Sequence, residues 1–218
     1  MASGYRCVMA DHDDNAVDST GTIHHPIYLE IMKEMRPNYT PLDLEGFIDM
    51  NRRTGIRRHY IEDLEFSEEE WQQAYNMWKE HPLREVDPPF FGGYLDVMSR
   101  FKSEEGIYVV VSHSDEGPIR RHYANASPEV SLDMIFASNG VPEHEKPFPW
   151  PIDMVMQEYG VSAEDIVVID DLDPGIDMAR KRGVDTIGTG WSHANPDSFR
   201  EKCMYYAENV NDLEDMLF

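Results

Sequence analysis

The sequence predicts an α/β fold: a parallel sheet core interrupted by an all-helical insertion. Three observations carry that reading. From residue 89 onward, short apolar runs alternate with helical patterns, the signature of a parallel sheet covered on both faces. An early apolar run, Arg6–Ala10, needs the same sheet, because alone it cannot bury both of its faces. Between them, residues 20–88 hold no strand-type run and read as helices. The expected organisation is a discontinuous core, 1–19 with 89–218, and a helical domain over 20–88.

Each element has its own reason. Cys7, Val8, Met9 and Ala10 end abruptly in acid at Asp11, Asp13 and Asp14. An apolar run of that length, bounded by polar residues, reads as a buried strand. Its C-terminal end is where ligands bind in open α/β sheets. Like charges this close repel unless a cation lies between them or one takes up a proton. In the insertion, Ile27, Leu29, Ile31, Met32 and Met35 follow helical spacing. Thr40-Pro41-Leu42-Asp43 reads as a helix start, with Thr40 as N-cap, and that helix runs to Gly55. Ser67-Glu68-Glu69-Glu70 reads as a capping box opening a helix with Trp71, Tyr75 and Trp78 on one side.

The core continues in alternation. Helices are expected at Tyr94–Lys102, Pro118–Ala124, Pro151–Tyr159, Pro174–Arg182 and Asn211–Leu217. Strands are expected at Ile107–Val111, Leu132–Ala137, Ile166–Ile169, Thr186–Thr189 and Tyr205–Ala207.

Composition narrows the function. A net charge of −23 over 218 residues repels nucleic acid and anionic membranes, which need clustered Lys and Arg. Any anion site must then carry local positive charge or a metal. Cys7 and Cys203 give no disulfide framework. No apolar run approaches the ~18 residues of a membrane span, and the N-terminus lacks a signal-peptide pattern. A cytoplasmic protein with a small-molecule partner is expected. Oligomeric state is not legible.

Further strand ends carry polar groups. Ile107–Val111 runs into Ser112-His113-Ser114, and Ile166–Ile169 runs into Asp170-Asp171. Lys146-Pro147 precedes the latter strand. In a parallel sheet these ends converge on one edge. Clustered carboxylates call for a hard cation such as Mg²⁺, and a hydroxyl with an ammonium suits an oxyanion. The order Asp11-x-Asp13, Ser112, Lys146-Pro147, Asp170-Asp171 resembles the four motifs of the haloacid dehalogenase-like superfamily. Supporting detail comes from Ala16-Val17-Asp18-Ser19 after the first motif and from Pro174-Gly175-Ile176 after the fourth. The resemblance implies a Rossmann-like core with a C1-type helical cap at residues 20–88.

It also implies roles. Asp11 resembles the nucleophile, and Asp13 the general acid/base. Mg²⁺ would be held by Asp11, the backbone carbonyl of Asp13, and Asp171, with Asp170 behind them or as an alternate ligand. Ser112 would donate to a phosphoryl oxygen, and Lys146 would neutralise charge. His113 stands where the family often has Asn. Arg52 and Arg53, in the basic stretch Asn51–His59, are placed to meet an anionic substrate. Asp13 argues against dehalogenation, and the lack of lysine in that stretch argues against phosphonate cleavage. The favoured reading is a Mg²⁺-dependent phosphatase of a small phosphorylated metabolite. A sugar-phosphate mutase and a non-catalytic binding protein stay open. Asp14-Asn15 departs from the family's usual Gly-Thr or Gly-Val. Asp is among the few residues that tolerate the positive φ a glycine would supply.

Overall fold

The computed structural model describes residues 4–193 and 195–218. The chain divides into two compact units, Ser19–Pro88 and Met1–Asp18 with Pro89–Phe218.

The first unit is helical. It holds α1 (His25–Met35), α2 (Leu44–Arg53), the single turn α3 (Ile56–Arg58) and α4 (Glu68–Lys79), with π-helical turns at Thr20–His24 and His59–Asp63. Ile27, Tyr28, Ile31 and Met32 of α1 pack with Phe47, Met50, Tyr60, Phe66 and Ala74. The helical spacing of these residues therefore builds a core of its own. The capping box at Ser67 forms: its hydroxyl accepts from Glu70 N while Glu70 reaches back to Ser67 N. A cap of this kind is worth about 1 kcal/mol. Glu70 also grips Arg36, whose guanidinium lies 3.9 Å over the Phe66 ring. One expectation is corrected. The α2 N-cap is Asp43, whose carboxylate accepts from Gly46 N, and not Thr40. Asp is as good a cap as Thr, and it stands directly before the first residue with helical geometry.

The second unit is the α/β core. Its strands are β1 (Cys7–Ala10), β2 (Ile107–Val111), β3 (Met134–Phe136), β4 (Ile166–Asp170), β5 (Asp185–Thr189) and β6 (Tyr205–Ala207). They form one sheet in the order β3-β2-β1-β4-β5-β6, and every pairing is parallel. The helices are α5 (Tyr94–Ser103), α6 (Glu116–Ala126), α7 (Trp150–Tyr159), α8 (Asp173–Arg180), the short α9 (Asp197–Arg200) and α10 (Val210–Leu217). Alternation along each strand sends residues to opposite faces. Val8, Ala10, Val110, Val167 and Ile169 enter one core with Tyr94, Met98, Ile119 and Leu213. Cys7, Met9, Val109, Val111, Ile166 and Val168 enter the other with Ile152, Val155 and Met178. Both faces are covered, so the strands read as continuous apolar runs. The third strand is shorter than expected, because Leu132, Asp133 and Ala137 fall outside the ladder.

Candidate active site

Sheet topology places the site. The chain leaves β1 for β2 and β3 on one side, then crosses back to β4 on the other. The switch point between β1 and β4 opens a crevice at the strand C-termini, where ligands bind in such sheets. Ala10 pairs with Ile169 and Val110. Asp11 and Asp170, the next residues on their strands, and Ser112, which follows Val111, are thereby brought to one edge.

Asp11, Asp170 and Asp171 meet there. One carboxylate oxygen from each lies within 4.8 Å of the others, and all three residues are buried. Lys146 enters between them, its Nζ 2.9 Å from Asp11 Oδ1 and 2.7 Å from Asp170 Oδ2. One ammonium does not balance three carboxylates. Burial pushes the Asp11 carboxyl up to about 6, with Asp170 and Asp13 adding to the rise and Lys146 opposing it. Burial, then Asp170, Asp11 and Asp14, raise Asp171 further above the carboxylate range. Burial disfavours the Lys146 ammonium, yet Asp11 and Asp170 outweigh it and hold the group above an ordinary lysine.

The two acids at the end of β4 differ. Asp170 is already engaged: Oδ2 takes Lys146, and Oδ1 accepts from Leu172 N at 2.9 Å. Among the described residues, Asp171 Oδ1 is buried with no hydrogen-bond partner. A buried orphan oxygen is costly. Three hard oxygen donors around such an orphan fit a divalent cation like Mg²⁺. Gly175 of α8 packs against this cluster, where a Cβ would stand 2.0 Å from Asp170 Oδ2. Leu172 holds the cap position of α8, and Asp173 lies in its first turn, paired with Lys202.

Asp13 stands differently. Its Oδ2 accepts from Ser112 Oγ at 3.3 Å and from Ser114 Oγ at 2.6 Å. Its carboxylate is not among the three that converge. Ser112 thus faces Asp13, and its own oxygen accepts from Ser114 N at 3.0 Å. His113 is exposed, and its ring nitrogen bonds the Lys146 carbonyl at 2.9 Å, tying the loop after β2 to the loop that carries the lysine. Asp14 adopts φ 56°, the left-handed conformation expected where a glycine is usual. Arg52 and Arg53 lie at the end of α2 in the helical unit, and Arg53 is paired there with Asp49.

Three residues escaped the sequence reading. Ser114 is the stronger partner of Asp13, and its only signal was a second hydroxyl two residues after Ser112. His193 places Nε2 3.6 Å from Asp171 Oδ2. It follows β5, whose polar end was not read. Asn15, fully buried, donates from Nδ2 to the Asp11 carbonyl at 2.9 Å. It stood out only as a departure from a motif.

The family model for haloacid dehalogenase-like hydrolases matches residues 8–189. A search of curated proteins finds no match. Among solved structures, a protein provisionally named a phosphoglycolate phosphatase from Haemophilus somnus 129pt superposes with a TM-score of 0.80 at 14% identity, covering 99% of both chains. A superfamily hydrolase of subfamily IA, variant 1, from Geobacter sulfurreducens PCA gives 0.74 at 17% identity, covering 99% of this chain and 97% of that one. A protein provisionally named a beta-phosphoglucomutase from Bacteroides vulgatus gives 0.72 at 20% identity, covering 98% and 88%. At these identities the likeness is one of fold. No helix among the described residues is long and apolar enough to cross a membrane.

Proposed function

The chain belongs to the haloacid dehalogenase-like hydrolases, and from that premise we propose that it is a Mg²⁺-dependent phosphatase of a small phosphorylated metabolite. The observation that carries this reading is the buried Asp11–Asp170–Asp171 cluster with Lys146 inside it. An anionic nucleophile must meet an anionic phosphate there, and the site supplies one ammonium and a cluster of carboxylates suited to a divalent ion. Asp11, Asp171 and the backbone carbonyl of Asp13 would hold the ion, and Asp170, with both oxygens engaged, orients Lys146 and the first turn of α8. When bound, Mg²⁺ supplies the charge compensation that lets a phosphate dianion approach a carboxylate.

The residues then divide the work. An Asp11 oxygen attacks phosphorus, and the bond from phosphorus to the leaving oxygen breaks. Asp13 gives its proton to that oxygen. Asp13 next takes a proton from water, and the water oxygen attacks phosphorus. The bond between Asp11 and phosphorus breaks, and phosphate and the Asp11 carboxylate are restored. Ser112 and Ser114 hold the Asp13 carboxylate at the site edge, and Lys146 compensates charge on Asp11 and the transferring group.

The mutase reading draws on the fold likeness to the Bacteroides protein. It needs several cationic side chains for a second phosphate, and three of the four arginines in the stretch Asn51–His59, namely Arg53, Arg57 and Arg58, are each taken by an acid within the helical unit. The phosphatase reading is therefore the better supported. A panel of phosphorylated metabolites, assayed for phosphate release with and without Mg²⁺, tests it. Mg²⁺-dependent release that vanishes in Asp11→Asn is the expected result. Isomerisation of a sugar phosphate without release would indicate a mutase. Mg²⁺ binding with no turnover on any ester would indicate a non-catalytic protein.

A further inference from the structure

Behind the nucleophile lies a buried polar network that the reaction above does not use. Asn15 sits at its centre with no solvent exposure. Its Nδ2 donates to the Asp11 carbonyl at 2.9 Å, and its Oδ1 accepts from Thr189 Oγ1 at 3.1 Å. Trp191 Nε1 donates to its backbone carbonyl at 2.9 Å. The Tyr94 side chain, also without solvent exposure, belongs to the same buried region. The Tyr94 hydroxyl bonds that of Tyr108 at 3.1 Å, and Tyr108 that of Tyr123 at 2.6 Å. The amide orientation is fixed, because the Asp11 carbonyl can only accept and a flipped amide would face it with another acceptor.

The arrangement spans elements. Asp11 follows β1, Thr189 ends β5, and Tyr94 opens α5. The main chain leaves the β1–β4 ladder at Asp11 and turns sharply through the left-handed Asp14. Asn15 is the side chain that ties this turn back to the strand end. A buried network with every member satisfied is rigid, and one with a member removed leaves buried groups orphaned.

We propose that Asn15, oriented by Thr189, is a positioning residue that fixes the Asp11 main chain and thereby aims its carboxylate for in-line attack. The inference rests on the phosphatase reading, in which Asp11 is the nucleophile. Misplacement of a reacting group by about 1 Å can cost on the order of a hundredfold in rate, so loss of this tether should appear in kcat and spare substrate affinity.

The test uses Asn15→Leu, Asn15→Ser, Thr189→Val and the Asn15→Leu/Thr189→Val double variant, with p-nitrophenyl phosphate at saturating Mg²⁺. Asn15→Leu should lower kcat by about tenfold or more with KM within about twofold of the parent. Asn15→Ser, which keeps a donor, should recover part of the loss. The double variant should be no slower than Asn15→Leu, because Thr189 acts through Asn15. The rise in thermal midpoint on adding Mg²⁺ alone should shrink in Asn15→Leu, since Asp11 is then misplaced in the absence of any substrate. Unchanged kcat, a loss confined to KM, or losses that multiply in the double variant would overturn the proposal. If Asn15→Leu does not fold, Thr189→Val decides: a lowered kcat at constant KM supports the tether, and an unchanged kcat overturns it. An inert parent would instead count against the phosphatase reading. The Mg²⁺-induced shift still judges Asn15 in that event, with an undiminished shift in Asn15→Leu refuting it.

Discussion

Replacing Lys146 with Met leaves a side chain of similar length and removes the cation that contacts both Asp11 and Asp170. The cost follows from the carboxyls that must then stay buried. A carboxyl that takes up a proton to remain buried costs about 1.4 kcal/mol per pH unit above its unfolded pKa. At about pH 7.5 that sets a ceiling near 5 kcal/mol for Asp11, of which the parent bears roughly 3 because its carboxyl stands at about 6. Asp11 can therefore add about 2 kcal/mol in Lys146→Met, and Asp170, stripped of a buried partner, brings the total to about 3–5. For a chain of this size the fall in Tm is on the order of 10 °C. At about pH 5 Asp11 is protonated in the parent as well, so its share disappears. Thermal unfolding of metal-free parent and variant at the two pH values is the assay. A loss that is large near pH 7.5 and roughly halves near pH 5 is expected. A change under about 3 °C, or one equal at both pH values, would refute the account of the site as a charge-crowded cluster held by one lysine.

Three further outcomes follow from the same geometry. Because the Asp11 and Asp171 carboxyls are raised above their unfolded value near 3.8, the folded state binds more protons, so stability of the metal-free protein is fullest below about pH 4 from these groups and falls as pH rises through about 6; saturating Mg²⁺ should flatten that slope in a pH series of thermal scans. Asp14→Gly removes a side chain at φ 56° and an acid that bears on Asp171, and should raise stability by about 1 kcal/mol, read as a higher urea midpoint at constant m. Gly175→Ala drives a Cβ into Asp170, and should displace the carboxylate and lower kcat by about tenfold or more, measured beside circular dichroism to confirm folding.

The α/β architecture was legible because parallel strands buried on both faces must be apolar throughout, as Val109–Val111 and Ile166–Ile169 are. The acids at strand ends were legible because topology sends every parallel C-terminus to one edge. What stayed hidden depends on contacts across the sheet. Ser114 bonding Asp13 and His193 near Asp171 join residues whose pairing no local spacing encodes, and Asn15, only four residues from Asp11, reaches its carbonyl because of the turn the backbone takes there. The division of labour between Asp170 and Asp171 came only from the resemblance and was left with an alternative, since it rests on which oxygens Lys146 and Leu172 occupy. The α2 cap was misplaced for a simpler reason: Thr40-Pro41 and Asp43 are both acceptable starts, and only the backbone chooses between them.

The claim on which the rest depends is that Asp11 carries the phosphoryl group. Rapid acid quench of the Mg²⁺-loaded protein turning over an aryl phosphate, with Asp13→Ala used to slow the second step, followed by mass analysis of the peptide containing Asp11, tests it most directly. A gain of one phosphoryl group on Asp11, absent in Asp11→Asn, is the predicted result. Phosphate release without that adduct, or turnover that survives in Asp11→Asn, would contradict it.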